Sequence, residues 1–448
     1  MILTVTIDII LLLVLFAPFI NGESNDSPST NQKKNTSATA PINDNQPLSF
    51  YLDQFLHTLL IHDYSKEWNI PDVTYNPAQM LTRYGYNAET HTVITEDGYI
   101  LTLFRVIGDK KGSTTADRPV VMVQHGVLVT SCDWTVTGPE QAFAFALADA
   151  GYDVWLSNAR GSTYSRNNVK LSSFEKKFWD FSYHEIGVYD LAANIDYILN
   201  VTGQKKLFYI GHSMGTTAGY ILLSERPDYN KKLYAMFNMA PVVYVNFKSP
   251  LVNLLLPFFE QIAYLIYKIY GSFELAAKHN ILTRSIVDIC LATTPIQPIC
   301  INTIFSSFGY DYANFNLTTV PAIGYNTPGG SSLKVLLHYS QNDRNGKFLK
   351  FDYKSKNVEY YGQKDPPEYN LSNTKIPVHI FYGSNDWLCT HGKELDKLIN
   401  NIGGETSLYV VDYNAFTHID FPYAKNANEL VYKKIINLID NFNVNTDA

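Results

Sequence analysis

The segment LFYIGHSMGTTAGYILL, residues 207–223, sets Ser213 between Gly211 and Gly215. A serine hydroxyl attacks an acyl carbon only when a base takes its proton, and the tetrahedral species that forms needs donors for its oxyanion. The G-x-S-x-G pattern alone says little, since a chain of this length holds one by chance on the order of 0.1 times at ordinary Gly and Ser frequencies. Its setting says more. Leu207 to Ile210 form a β-prone apolar run, and Thr216 to Leu223 predict a helix that stops before Pro227. Strand, sharp turn and helix are the context of a nucleophile elbow, where small flanking residues let the serine stand above the sheet edge. An ordinary tight turn between strand and helix is the alternative.

The partners expected of such a serine follow it in the order acid, then histidine. Asp386, in FYGSNDW, comes just beyond a buried apolar run, where an acid would project from the carboxyl end of a sheet. His418, in NAFTHIDF, lies between the run SLYVVDY and the last helical segment. His379 sits inside a predicted strand, and His391 follows Asp386 too closely to stand on an independent loop. Asp412 is the main rival acid, but it falls late in its own strand run. For the oxyanion, the backbone N–H of Met214, next after the serine, is one donor; Gly126 in QHGVL permits a turn that aims the amide of Val127 as the second. The chemistry read this way needs neither metal nor cofactor.

These residues require a sheet to hold them. THTVITEDGYILTLFRV is a hairpin about Asp97-Gly98, and RPVVMVQHG is a continuous apolar run suited to a buried parallel strand. AFAFALADAGYDVWLSNARG, VYDLAANIDYILNVTG and KKLFYIGHS continue as helix–strand, helix and strand. After AMFNMAPVVYV the alternation stops; residues 247–370 are mainly helix-like and rich in Phe, Tyr, Leu and Ile. It resumes in KIPVHIFYGSNDW, TSLYVVDY and ANELVYKKIINLIDNF. The expected architecture is α/β, a mostly parallel sheet whose core (72–246 and 371–448) is interrupted by a mainly helical insertion at 247–370.

Composition narrows the class. The 448 residues carry a formal net charge of −7, which gives no basic footprint for nucleic acid. The 32 tyrosines and 25 phenylalanines can fill cores and also line pockets for greasy ligands. An apolar run from Ile9 to Phe16, then Pro18 and small residues, reads as a secretory signal over 1–22, too short for a spanning helix. Residues 23–71 read as an extension, at first too poor in apolar residues to order and then a short amphipathic helix. Asn25, Asn35, Asn200, Asn316 and Asn370 each open an N-x-[ST] acceptor for glycosylation, in keeping with export. Of four cysteines, Cys290 and Cys300 are near enough to close a small loop, whereas Cys132 and Cys389 read as lone thiols; none has metal-site spacing.

The blocks YNPAQMLTRYGY, TEDGYIL, QHGVLVTSCDW, LADAGYDVWLSNARGSTYSR, GHSMGTT, NMAPV, DPPEYNLS, GSNDW and THIDF resemble the acid lipases, the group containing gastric lipase and lysosomal acid lipase. The resemblance spans roughly residues 72–442 and implies an α/β-hydrolase core with a cap over the site. It implies Ser213 as nucleophile, Asp386 as acid, His418 as base, Val127 and Met214 as oxyanion donors, and a cap disulfide at Cys290–Cys300. A further cap cysteine of the family is replaced near Phe308, and Met214 stands where many relatives have Gln. The implied activity is hydrolysis of carboxylic esters of neutral lipids, triacylglycerols or steryl esters, at a lipid interface, by a secreted or lysosomal enzyme. An esterase or acyltransferase would use the same triad. A non-catalytic lipid-binding protein on this fold would be expected to have lost triad positions, and all three are filled. SPLVNLLLPFFEQIAYLIYKIYGSF, broken by Pro257, Glu260, Gln261 and Lys268, reads as acyl-chain tunnel and lipid-facing surface, with ordinary core as the alternative.

Overall fold

The computed structural model describes residues 74–110, 118–278 and 297–442. The signal and extension segments, Asn25, Asn35 and Cys290 lie outside the described residues, as does the side chain of Cys300. Contacts divide the chain into Met1–Asn69 with His279–Phe305, and Ile70–Lys278 with Ser306–Ala448. Of the first unit only 297–305 are described, as part of helix Gln297–Phe308. Everything below concerns the second.

Its main sheet is built from β1 (Asn87–Ile94), β2 (Tyr99–Ile107), β3 (Val120–Gln124), β4 (Asp153–Ser157), β5 (Leu207–His212), β6 (Leu233–Met239), β7 (Val378–Tyr382) and β8 (Thr406–Val410). They lie in the order β1-β2-β4-β3-β5-β6-β7-β8, and a two-residue strand, Asn167–Asn168, pairs with β2. β1 and β2 form the expected antiparallel hairpin about Asp97-Gly98, β2 meets β4 antiparallel, and every pairing from β4 to β8 is parallel. All residues of β3, β4 and β5 are buried, as strands covered on both faces must be.

Period two sorts those strand residues between two cores. Val120 and Met122 of β3 and Leu207 and Tyr209 of β5 enter one apolar cluster with Ile195, Ile198, Tyr220 and Ile221. Val121, Val123, Phe208 and Ile210 enter the other, with Phe143, Phe145, Tyr432 and Ile435. The helices concerned are α1 (Phe143–Asp149), α2 (Ala192–Thr202), α3 (Met214–Glu225) and, near the C-terminus, Lys433–Asp440. Among the described residues between β6 and β7, helices predominate: α4 (Pro250–Tyr270) packs on α5 (Leu333–Asn345). Two pieces departed from the sequence reading. Pro77–Arg83, within YNPAQMLTRYGY, is a helix held by a capping box between Asn76 and Gln79, a signal present in the residues but overlooked. Residues 186–191 and 428–432 are π-helical, which periodicity does not separate from α.

The elbow depends on two close approaches. A Cβ on Gly211 would lie 2.7 Å from the Gly215 carbonyl carbon, and one on Gly215 would lie 2.6 Å from the Gln124 carbonyl oxygen of β3. Ser213 itself has φ 52° and ψ −119°, a positive φ that a side chain seldom adopts. Its N–H donates to Met239 O at the end of β6 (3.0 Å), and Thr216 Oγ1 donates to Ser213 O (2.6 Å). Those bonds over-determine the strained residue. Replacing Gly215 with Ala should press a methyl into the β3 backbone and destabilise the protein by about 1–3 kcal/mol. A urea midpoint equal to that of the parent would contradict this packing.

Candidate active site

His418 and Asp386 meet. The His418 Nδ1 lies 3.0 Å from Oδ1 and 2.9 Å from Oδ2 of Asp386, and both side chains are buried. β7 and β8 are parallel neighbours, so the segments that follow their C-terminal ends emerge side by side, the first carrying Asp386 and the second His418. Oδ1 of Asp386 also accepts from the backbone N–H groups of Leu388 and Cys389, both at 2.9 Å. Burial works against the charge on Asp386, but the adjoining His418 and these two amides outweigh it, and the carboxyl pKa falls below its ordinary value. With a folded pKa below that of an unfolded aspartate, about 3.9, the pair stabilises the fold above that pH. Its contribution disappears as pH falls through the lower, folded value.

Ser213 is joined to this pair through its neighbour. His212 Nε2 donates to the carbonyl oxygen of His418 (3.1 Å), and the two imidazole centroids are 5.1 Å apart. Burial, then the nearby His418, pushes the His212 pKa down to about 3, so this ring is a neutral tie between elbow and histidine loop. Asp420 secures that loop from its other side: Oδ2 accepts from Thr417 N (2.6 Å) and Thr417 Oγ1 (2.8 Å), and burial pushes its carboxyl up to about 7. The ring of Phe308 lies nearly parallel to that of His418, with centroids 5.9 Å apart.

The two expected oxyanion donors flank the serine. Met214 is the first residue of α3, where an N–H has no intrahelical acceptor. On the other side, a Cβ on Gly126 would stand 3.2 Å from Ser213 Cβ, so the turn bearing Val127 lies directly against the serine. His125 holds that turn. Its Nε2 accepts from Ala159 N (3.1 Å), which leaves Nδ1–H to donate to Gly126 O (2.7 Å). Burial pushes its pKa down to about 4, in keeping with a neutral ring. The Gly126 carbonyl and the Val127 N–H belong to one planar trans peptide and point opposite ways, so fixing the first aims the second.

The other predicted residues fall elsewhere. His379 is in β7, with its ring stacked on Phe237, and His391 precedes helix Gly392–Asn401; neither is bonded to Asp386. Cys132 and Cys389 are buried free thiols, as read. Asn200 and Asn370 are exposed and Asn316 is half-buried. Sequence reading passed over His125, His212 and Asp420. Only Asp420 carried a usable signal, the T-x-x-D spacing of THID that marks a local cap.

The description "partial alpha/beta-hydrolase lipase region" matches residues 77–138, and "alpha/beta hydrolase fold" matches 119–283. Lipase 3 of Drosophila melanogaster is 38% identical over 360 residues, covering 80% of this chain and 91% of that one. Gastric triacylglycerol lipase of Homo sapiens is 36% identical over 375 residues, covering 82% and 92%. Lysosomal acid lipase/cholesteryl ester hydrolase of Homo sapiens is 35% identical over 374 residues, with the same coverage of 82% and 92%. A solved Sulfolobus solfataricus protein, 14% identical, shares the fold with a TM-score of 0.54 over 80% of this chain and 94% of its own. The chain belongs to the acid lipase family of α/β hydrolases, and with it to the carboxylic ester hydrolases.

Both loop amides bind Oδ1 of Asp386, which has a consequence for one substitution. In Asp386→Asn the amide oxygen can keep those two bonds and must then present its NH2 to His418 Nδ1. The imidazole would be forced into the tautomer with hydrogen on Nε2, unable to accept a proton from a hydroxyl. A folded variant with kcat lowered on the order of 10³–10⁴-fold on a soluble ester is expected. Near-parental kcat would contradict the arrangement.

Proposed function

We propose that this protein is a lipase that hydrolyses carboxylic esters of neutral lipids through an acyl-enzyme on Ser213. The observation that carries the reading is the buried His418–Asp386 pair tied to the residue beside Ser213. Asp386 keeps hydrogen on Nδ1, so Nε2 of His418 is free to accept the Ser213 proton as Oγ attacks the ester carbonyl. The negative charge that forms on the carbonyl oxygen is met by the N–H groups of Val127 and Met214, each such donor lowering the barrier by about 3 kcal/mol. His418 then returns the proton to the leaving alcohol. Water, activated by the same imidazole, releases the fatty acid.

The substrate class draws on two supports. Relatives at 35–36% identity bear the names gastric triacylglycerol lipase and lysosomal acid lipase/cholesteryl ester hydrolase. The segment between β6 and β7 also supplies large apolar side chains in quantity. The same relatives, together with the N-terminal apolar run and the exposed acceptors Asn200 and Asn370, favour the secretory pathway, with glycans at those sites and at Asn316. Cys290 and Cys300 would be bridged there.

A fluorophosphonate probe should label the parent and leave Ser213→Ala unlabelled, and only the parent should release fatty acid from triacylglycerol or steryl ester emulsions between about pH 4 and 8. That range brackets the ordinary histidine pKa. Equal labelling of the two proteins would remove Ser213 from the mechanism.

A further inference from the structure

We propose a second lipid site, away from the serine: a cationic cavity beneath α4 that takes the phosphate headgroup of an anionic phospholipid while the exposed face of α4 enters the acyl layer. The cavity has a volume of about 360 Å³. Lys176, Lys177, Lys268 and Lys356 line it, together with one acid, Asp180. That acid is already engaged, because its Oδ1 accepts from Lys334 Nζ (2.9 Å) and from Tyr267 OH (3.2 Å). Among the described residues none of the four lining lysines is paired with a carboxylate. Lys176 Nζ instead lies 5.2 Å from the centroid of the Tyr270 ring. On a chain of net charge −7, four lysines against one aspartate around one cavity form a local excess of positive charge. Tyr353 and Tyr360 stack at 3.9 Å on its wall, and Tyr353 OH accepts from Lys334 Nζ (3.0 Å).

The helix that supplies Tyr264, Tyr267 and Lys268 to this cavity turns a different face to solvent. Leu254, Phe258, Ile262, Leu265 and Ile269 recur every three or four residues, which places them on one stripe, and they are 45–63% exposed. The other side of α4 is held to the protein by packing on α5 and by the Glu260–Arg344 ion pair. A helix with an apolar stripe and flanking lysines is suited to lie in the plane of a lipid interface, where its cations meet headgroup phosphates. Charge complementarity selects the occupant. A neutral emulsion would satisfy the stripe but leave the four lysines without partners, whereas an anionic monolayer satisfies both.

The proposal does not depend on chemistry at Ser213, and binding can be read without turnover. The full chain and a Lys176→Gln/Lys177→Gln/Lys268→Gln/Lys356→Gln variant would be floated with phosphatidylcholine vesicles, with or without phosphatidylglycerol. Each lysine near an anionic surface is worth on the order of a fivefold change in binding. The parent should therefore prefer the anionic vesicles, and the variant should lose that binding by roughly several hundredfold while binding neutral vesicles as the parent does. Raising the salt to 1 M should remove the preference of the parent, the Debye length there being about 3 Å. Equal binding of parent and variant to anionic vesicles would overturn the proposal. So would glycerol 3-phosphate binding as tightly as vesicles do, which would make this a small-anion site. Self-association of the parent with no vesicle binding would assign the stripe to a second copy and also overturn it. A parent that binds vesicles but hydrolyses no ester would count against the proposed function alone.

Discussion

A buried carboxylate against a buried imidazole is the interaction on which the rest of this structure depends. Taking Asp386 out of water is unfavourable for its charge, and the cost is offset only because His418 and two backbone amides converge on it. Remove the carboxylate and the imidazole loses its fixed tautomer. Remove the imidazole and an unpaired charge is left inside the protein. Neither residue is stable in its buried place without the other.

Position follows from the sheet. β5, β7 and β8 are parallel to their neighbours, so the loops after their C-terminal ends open on one edge, and these loops carry Ser213, Asp386 and His418 from well-separated parts of the chain. β3 ends at the same edge, with His125 and Val127 immediately beyond it. Secondary ties lock these loops together: His212 to the backbone of His418, Asp420 to Thr417, and His125 to the peptide ahead of Val127. Two of the three are neutral histidines whose burial suppresses protonation, so they serve as hydrogen-bonding spacers and not as acids or bases. The long segment between β6 and β7 leaves the sheet without altering its order, and α4 within it turns large apolar side chains outward.

Much of this was legible in the residues because it is written in short-range patterns. Runs such as VVMVQ and LFYIGH have no alternation to expose a face, and they lie at the centre of the sheet. The two glycines about Ser213 were readable as steric requirements, and the distances of 2.6 and 2.7 Å give that requirement its cause. The order serine, acid, histidine admits both Asp386 and Asp412, and the place of Asp386 just beyond a buried apolar run, with Asp412 late in its own, chose between them. His125 and His212 were not legible, because each acts through a backbone carbonyl, its own neighbour's in one case and one brought close by folding in the other. The cationic cavity was hidden for the same reason: Lys176, Lys268 and Lys356 belong to three separate segments, and only folding brings them together around one acid, Asp180. The helix Pro77–Arg83 was different, since Asn76, Pro77 and Gln79 spelled its cap and were read only as part of a longer block.

The central claim is that Ser213, His418 and the two amides converge on a single reacting carbon. It is tested most directly by a crystal structure of the protein after reaction with a long-chain alkyl phosphonate. Phosphorus should be bonded to Ser213 Oγ, with the phosphoryl oxygen about 2.7–3.1 Å from both the Val127 and Met214 nitrogens and His418 Nε2 facing the serine oxygen. A phosphoryl oxygen turned to solvent, or a phosphonate carried on any other residue, would contradict it.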